Sequence, residues 1–453
     1  MNIKTDLEWL LPELIEEAKF FTNAEGLEIL HRHKKSENFD DEIEINGKIY
    51  SYSRPADFAD ETEKKRYEKR YAKLALYKAL SDYLSEKLPW GALTGIRPVK
   101  FAYCEGENWR AEMGEVLGVS EKKLDLVSRI INAQRGIYEI KDGNCDLFVG
   151  IPFCPSRCLY CSFVSSEIGK AKDVEGYVSA LVKEIAAAKP LIKNLRSVYI
   201  GGGTPVSLPI SQLSRVLDAI GEVNCEYTVE AGRPDAISDD ALRLFKDYGV
   251  TRVCVNPQTF NDETLKIIGR KHTAKDIEEK FESVKKYGFD VNMDLIAGLP
   301  GESFEDFKRS LEKAAALSPE NLTVHTLSLK KGSILKEKVE RLPSGEIEKM
   351  IDFSVEKLTE SGYEPYYTYR QKYMAGNLEN TGYTKAGKAC VYNVDVMEET
   401  ADNLACGANA VSKKLFISEN RIERYGAPKD IATYIEKIDR IIDEKNELFL
   451  KNG

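Results

Sequence analysis

The stretch GIPFCPSRCLYCSF, residues 150–163, sets Cys154, Cys158 and Cys161 in a C-x3-C-x2-C spacing. Thiolates hold zinc or iron–sulfur clusters, and a closed structural zinc site takes four protein ligands, commonly from paired cysteines some way apart. Only three are local here. Three thiolates suit a [4Fe–4S] cluster whose remaining iron stays open to a small molecule, an arrangement that makes an electron-transfer centre catalytic. The other six cysteines are scattered, and in a reducing compartment they are expected to stay free.

Two further features have the chemistry to serve such a centre. GGGTP, residues 201–205, ends an apolar run, and its glycines let backbone N–H and C=O groups approach a ligand closely. A Cβ at Gly202 or Gly203 is therefore expected to intrude on ligand space. Glu230 closes YTVEAG, where a carboxylate on a buried strand needs a partner or a ligand. The chain has four histidines, His31, His33, His272 and His325, and the last reads as a hydrogen-bonded core residue on a strand.

The elements that must position these groups alternate. Six short runs rich in β-branched residues, DLFVGIP, SVYIGGG, EYTVEAG, TRVCVNP, VNMDLIAG and NLTVHTL, are separated by segments such as ISQLSRVLDAIGEV and SFEDFKRSLEKAAAL. In these segments apolar residues recur at three- and four-residue steps, so each strand is followed by a crossover helix. Repeated β–α units predict a parallel sheet or barrel, with functional residues at the carboxyl ends of its strands. Residues 1–145 have a different texture, including a charged helix from about Asp60 whose run to Lys73 reads as a solvated face, and they form an expected N-terminal accessory domain. The barrel is expected over 146–361 and a small mixed domain covering the substrate over 362–453.

Composition narrows the partners. A net charge of −9 leaves no domain-wide basic field for a polynucleotide, so nucleic acid is not an expected partner. The opening MNIKTDLEWLLPELIEEAKFF is acidic and amphipathic without a basic n-region, and no run of about 18 apolar residues occurs, so a cytoplasmic protein without a membrane span is expected.

On its cysteine motif and strand pattern the chain resembles the radical S-adenosylmethionine (SAM) superfamily over roughly residues 146–330. The resemblance implies an α/β fold, a partial (β/α)6 barrel with an N-terminal α+β domain and a small C-terminal mixed domain. It also implies that SAM chelates the open iron of the cluster and is cleaved to a 5′-deoxyadenosyl radical. Tyr160 then falls where an aromatic packs on the adenine, and Gly202, Gly203 and Thr204 fall on the motif that meets the amino group of SAM, with Glu230 as a further cofactor contact.

RVCVNPQTFNDETLKIIGRKHT and VNMDLIAGLPGES resemble the oxygen-independent coproporphyrinogen III oxidase family, particularly its longer coproporphyrinogen dehydrogenase branch. Gln258, Arg270 and Asp294 then match residues that bind SAM, including a second SAM molecule in that family. The implied reaction is oxidative decarboxylation of two propionates of coproporphyrinogen III to vinyls, giving protoporphyrinogen IX. The implied partners are the tetrapyrrole, a reduced flavodoxin or ferredoxin-type electron donor and an unidentified electron acceptor. A tetracarboxylate needs local cations, for which Arg97, Lys100, Arg233, Arg370 and Lys372 are candidates. The chain also departs from the family. Phe163 stands where the oxidases carry another cysteine, as it does in the related haem chaperones, and Phe148 and Gly150 replace a tyrosine and a histidine. The chaperones' HNxxYW motif is not evident, because the nearest text, ENTGYT, has Glu379 in the histidine's place. A haem-trafficking protein and a radical SAM enzyme acting on finished haem are the alternative readings.

Overall fold

A computed structural model describes residues 1–451 apart from 22, 36–37, 56–57, 59, 94–96, 162–165, 329–332, 336–344, 372–373 and 375–377. Phe163 and Lys372 thus lie outside the described residues. The chain groups into two compact units, Met1–Ser128 with Gly376–Leu378, and Arg129–Ala375 with Glu379–Gly453.

The first unit is α+β. Strands β1 (Asn2–Thr5), β2 (Glu28–Lys35), β3 (Asn38–Ile45) and β4 (Lys48–Pro55) form one sheet in that order. Alternation along NFDDEIEI turns Phe39, Asp41, Ile43 and Ile45 to the buried face. Asp41 is tolerated there because its Oδ1 lies 2.9 Å from both His31 Nε2 and His33 Nδ1. The charged helix spans Glu61–Leu84, and the Asp60 side chain accepts a hydrogen bond from Glu63 N at its start. The solvated-face reading of its charge run fails at Lys73, which is buried. Glu13 and Glu17 stand 3.6 and 3.5 Å from its Nζ and supply the countercharge that burial requires.

In the second unit β5 (Asn144–Ile151) leads into the short pair β6 (Phe153–Cys154) and β7 (Ser166–Glu167). The following strands are β8 (Asn194–Gly202), β9 (Glu226–Gly232), β10 (Arg252–Val255), β11 (Asp290–Ala297) and β12 (Asn321–Thr326). Strands β5, β8, β9, β10, β11 and β12 lie side by side in chain order, every pair parallel, and correspond to the six expected runs. Parallel neighbours need crossovers, which helices such as Val174–Ala188, Ile210–Ile220 and Phe304–Leu317 provide. Ser303 opens the last with a capping box to Asp306.

The six strands make a partial barrel. Its two edges are extended by β13 (Glu364–Tyr369), β14 (Asn380–Thr384), β15 (Asp402–Cys406), β16 (Val411–Phe416) and β17 (Arg421–Gly426). β14 pairs antiparallel with β12 and carries β13, whereas β15 pairs parallel with β5 and carries β16 and β17. The segment after residue 361 thus lengthens the barrel sheet at both ends. This accounts for two of the departures in β5. Phe148 stacks against Tyr199 and Tyr392 at 6.3 and 6.2 Å. A Cβ on Gly150 would stand 3.3 Å from Cys406 O at the end of β15, and Gly407, at φ +114°, is needed as well, because a Cβ there would stand 2.5 Å from Gly150 O.

A buried charge joins the C-terminal helix Ile438–Leu450 to the helix Val174–Ala188. Glu184 accepts hydrogen bonds from Lys445 Nζ, from the Tyr434 hydroxyl and, at 2.7 Å, from Gly407 N. Removing one partner of such a pair strands the other in an apolar setting. Lys445→Met is expected to lower the unfolding free energy of this unit by about 3 kcal/mol in urea titrations, with Glu184→Leu/Lys445→Met recovering most of the loss.

Candidate functional site

The register of the sheet brings the two motifs to one level, because Ile151 at the end of β5 pairs with Gly202 at the end of β8. From there GGGTP grips the cysteine loop by its backbone. Gly203 N donates to Ile151 O at 2.8 Å and Thr204 N to Phe153 O at 2.7 Å, while Thr204 Oγ1 lies 3.6 Å from Cys154 Sγ. The far side of the loop is tied by Leu159 N to Ile268 O at 3.1 Å. Cys154 and Cys161 are half-buried and Cys158 is buried. The three thiols border one space, and among the described residues no three His, Cys, Asp or Glu side chains converge on a single-ion site.

That space opens into a cavity of about 350 Å³ at the carboxyl ends of the parallel strands. Every expected site residue lines it: Cys154, Cys158, Tyr160 and Cys161 from the loop, Gly202, Gly203 and Thr204 after β8, and Glu230, Gln258, Arg270 and Asp294 from the strands and turns beyond. Arg270 is buried, donating to Asn256 O and to the Tyr160 hydroxyl at 2.8 Å each. Gln258 is held at φ +67°, with its N–H on Asp294 O at 2.8 Å and its own carbonyl accepting from Ile296 N at 3.0 Å. A non-glycine residue fixed there by two backbone bonds carries strain of the kind that clusters at ligand sites. Asn256 Oδ1, Gln258 Oε1 and Arg270 Nε are buried without a hydrogen-bond partner among the described residues, which is costly unless a ligand satisfies them. The three thiols and these orphaned polar atoms around one cavity fit a cluster with a polar, zwitterionic cofactor beside it.

The two carboxylates of the cavity are pushed apart in pKa. Burial, with the nearby charge of Asp294, raises Glu230 to about 8 against a hydrogen bond from Gly202 N–H. Burial also pushes Asp294 upward, but His325, Asn292 and Thr323 outweigh it and hold Asp294 below the ordinary value. His325 Nε2 is 3.7 Å from Asp294 Oδ2, and Asn292 Nδ2 donates to Asp294 Oδ1 at 2.9 Å. Near neutral pH one carboxyl is protonated and its neighbour ionised, so an incoming cationic group has an acid ready to yield its proton. Gly201 makes room for this arrangement, since a Cβ there would lie 2.6 Å from Glu230 Oε2.

The glycine expectation needs correcting at both positions, since a Cβ on Gly202 would lie 3.4 Å from Ile151 N and O on a backbone held at φ +100°. A Cβ on Gly203 would stand 2.5 Å from Phe153 O and 2.8 Å from Ile151 O, so its nearest neighbour is the cysteine loop and not ligand space. Of the expected substrate cations, Arg233 and Arg370 can be placed relative to this cavity. Arg233 lines the cavity, but Asp235 binds its guanidinium through Nε and Nη2 at 3.0 and 2.7 Å, and Ser156 Oγ accepts from Nη1 at 2.7 Å. Arg370 is buried at the end of β13 without lining the cavity, and Arg97 and Lys100 belong to the first unit. His325 does face the cavity instead of sitting in the core, with Nδ1 3.4 Å from the Tyr369 hydroxyl. Sequence reasoning missed Tyr199, Asn256, Asn292, Tyr367 and Tyr369. Period-two spacing from Gly201 and Asp294 points to Tyr199 and Asn292, whereas Tyr367 and Tyr369 come from an antiparallel strand that no local pattern attaches to the barrel.

Two measurements follow from this geometry. Gly203→Ala is expected to displace the Cys154 loop and so to cut iron and sulfide content after reconstitution, as Cys154→Ala, Cys158→Ala and Cys161→Ala do. Thr204→Val, which adds no atom against that backbone, is expected to keep them. Glu230 is an acid whose folded-state value exceeds its unfolded one, so its stabilising contribution is full below about 4.5 and declines as pH rises towards 8. Glu230→Gln is expected to gain stability relative to the wild type between about pH 5.5 and about pH 8.5 in urea titrations of the cofactor-free protein.

Comparison with known proteins agrees with the geometry. Residues 148–314 match the Radical SAM superfamily. The chain is 36% identical to the oxygen-independent coproporphyrinogen-III oxidase-like protein HemZ of Bacillus subtilis, over 79% of its own length and 76% of that protein's. It is 27% identical to the heme chaperone HemW of Haemophilus influenzae, over 66% of its length and 78% of that protein's. The solved structure of coproporphyrinogen III oxidase HemN from Escherichia coli shares the fold, with a TM-score of 0.54 at 22% identity across 71% of this chain and 73% of that one. The chain belongs to the radical SAM superfamily and, within it, to the oxygen-independent coproporphyrinogen III oxidase family.

Proposed function

We propose that the protein is a SAM-cleaving oxidoreductase of porphyrin biosynthesis that decarboxylates two propionates of coproporphyrinogen III to vinyls. The observation that carries this reading is the cavity itself, where the three thiols, the strained Gln258 and the orphaned atoms of Asn256, Gln258 and Arg270 meet. A [4Fe–4S] cluster on Cys154, Cys158 and Cys161 with bound SAM supplies hydrogen-atom abstraction from an unactivated C–H bond. The chain's own residues then orient and seclude. Tyr160 and Arg270 are fixed against one another, Glu230 would meet the cofactor's cationic amino group and in doing so would release its proton to water, and Asp294 stays ionised under His325 and Asn292. Tyr367, Tyr369, Gln371, Asn380 and Asn393 close the cavity from the segment after residue 361, which supports the role of 362–453 as a substrate cover that keeps water out.

A haem chaperone is the second reading, favoured by the similarity to HemW and by Phe163. The burial of Glu379 speaks against it, because no exposed ligand stands where the chaperone motif has a histidine. The histidines are moreover already engaged, His31 and His33 with Asp41, His272 with Asp235 at 3.2 Å, and His325 with Asp294 and Tyr369.

Anaerobic turnover of the reconstituted protein with SAM, a reductant and either coproporphyrinogen or haem separates the readings by product. Protoporphyrinogen is expected from coproporphyrinogen. In Arg270→Lys the fork to Asn256 and Tyr160 is lost, so 5′-deoxyadenosine is expected to persist while protoporphyrinogen per 5′-deoxyadenosine falls roughly tenfold or more. A wild-type ratio of zero beside stoichiometric haem binding would establish the chaperone.

A further inference from the structure

The first unit contains a built cleft that the reaction does not use. It is a small cavity of about 70 Å³ between β3, β4 and the helix Glu61–Leu84, lined by Phe39, Asp41, Tyr52, Ser53, Arg54, Tyr71, Leu74, Ala75 and Lys78. Two of these are cations, Arg54 and Lys78, and both are half-buried. Other cations on the same helix have matched carboxylates, Lys69 with Glu13, Lys73 with Glu13 and Glu17, and Arg70 with Glu105. Among the described residues no carboxylate lies within ion-pair distance of Arg54 or Lys78. The one carboxylate lining the cleft, Asp41, is committed to His31 and His33. Asp82 and Glu112 act on Lys78 only at longer range, and burial together with the facing Arg54 holds its ammonium below the usual lysine value. The guanidinium of Arg54 lies 5.7 Å from the centre of the Tyr71 ring, and burial raises the Tyr52 phenol to about 12, which keeps it a hydrogen-bond donor.

We propose that this cleft binds an oxyanion, the carboxylate or phosphate group of a small molecule, between Arg54 and Lys78, with the hydroxyl of Tyr52 as an added donor. Two cations that line one partly desolvated cleft, neither of them ion-paired among the described residues, repel, and a bound oxyanion turns that repulsion into two charge-assisted hydrogen bonds. The cleft admits one such group, and Phe39, Tyr52 and Tyr71 give its carrier apolar walls.

Competitive labelling of the full chain with acetic anhydride near pH 8 reads Lys78 directly, with the well exposed Lys275 as internal reference. The arms contain inorganic phosphate, succinate, or chloride at matched ionic strength. Lys78 is expected to lose at least threefold in relative labelling in phosphate, in succinate or in both, and the effective arm identifies the group. In Arg54→Met, which keeps the stem but removes the charge, the protection is expected to disappear while Lys275 labels as before. Equal Lys78 labelling in all three arms of the wild type, or protection that survives in Arg54→Met, would overturn the site. Neither result depends on turnover of a tetrapyrrole.

Discussion

The second unit depends on a backbone contact rather than a side chain. Ile151 and Phe153 leave the barrel as β5 ends, and Gly203 and Thr204 donate to their carbonyls as β8 ends. Only a residue without a Cβ brings the two chains this near, so the position of three thiols is set by an atom that is missing one residue short of Thr204. Neighbouring parallel strands in register are the means: their ends emerge side by side, and a loop from one becomes the wall of the other. The position of the thiols is therefore carried by sheet geometry, and a side chain at Gly203 acts on the cysteine loop before it acts on any ligand.

A second constraint follows from crowding acids into a cavity. Glu230 and Asp294 cannot both be ionised cheaply at this separation, and the surrounding donors decide which gives way. Asp294 collects His325, Asn292 and Thr323, whereas Glu230 has chiefly Gly202 N–H. The asymmetry gives the cavity one fixed negative charge and one protonated group facing the same space. Arg233 takes no part in it, because its guanidinium neutralises Asp235 close by.

Much of this was legible in the chain text because it is local. The six barrel strands, the cysteine spacing and the strand-end positions of Glu230, Gln258 and Asp294 follow from period-two and helical patterning, and all of these residues meet around one cavity. What the text hides is non-local. That β14 pairs with β12 and β15 with β5 depends on edges made more than fifty residues earlier in the chain, so the tyrosines brought in by β13 had no readable link to the site. Charge runs mislead in the same way, because burial of Lys73 is decided by Glu13 and Glu17 on a distant helix. Arg233 was misread for the related reason that composition cannot tell which arginine already has a carboxylate.

The unclosed barrel has a consequence for how the protein is made. Strands β5 to β12 are complete once Thr326 has been synthesised, yet β12 gains its outer neighbour only with Asn380–Thr384 and β5 only with Asp402–Cys406. Until the ribosome passes Thr384 the nascent sheet has two bare edges, and until it passes Cys406 it has one, each a row of unpaired backbone groups able to join another chain. The close approach of Gly407 to Gly150 then locks β5 at the strand end from which the cysteine loop departs. Translation order thus leaves the strand from which the cysteine loop departs with an open outer edge until the last strands arrive, although the loop's own backbone ties to Gly203, Thr204 and Ile268 are available far earlier.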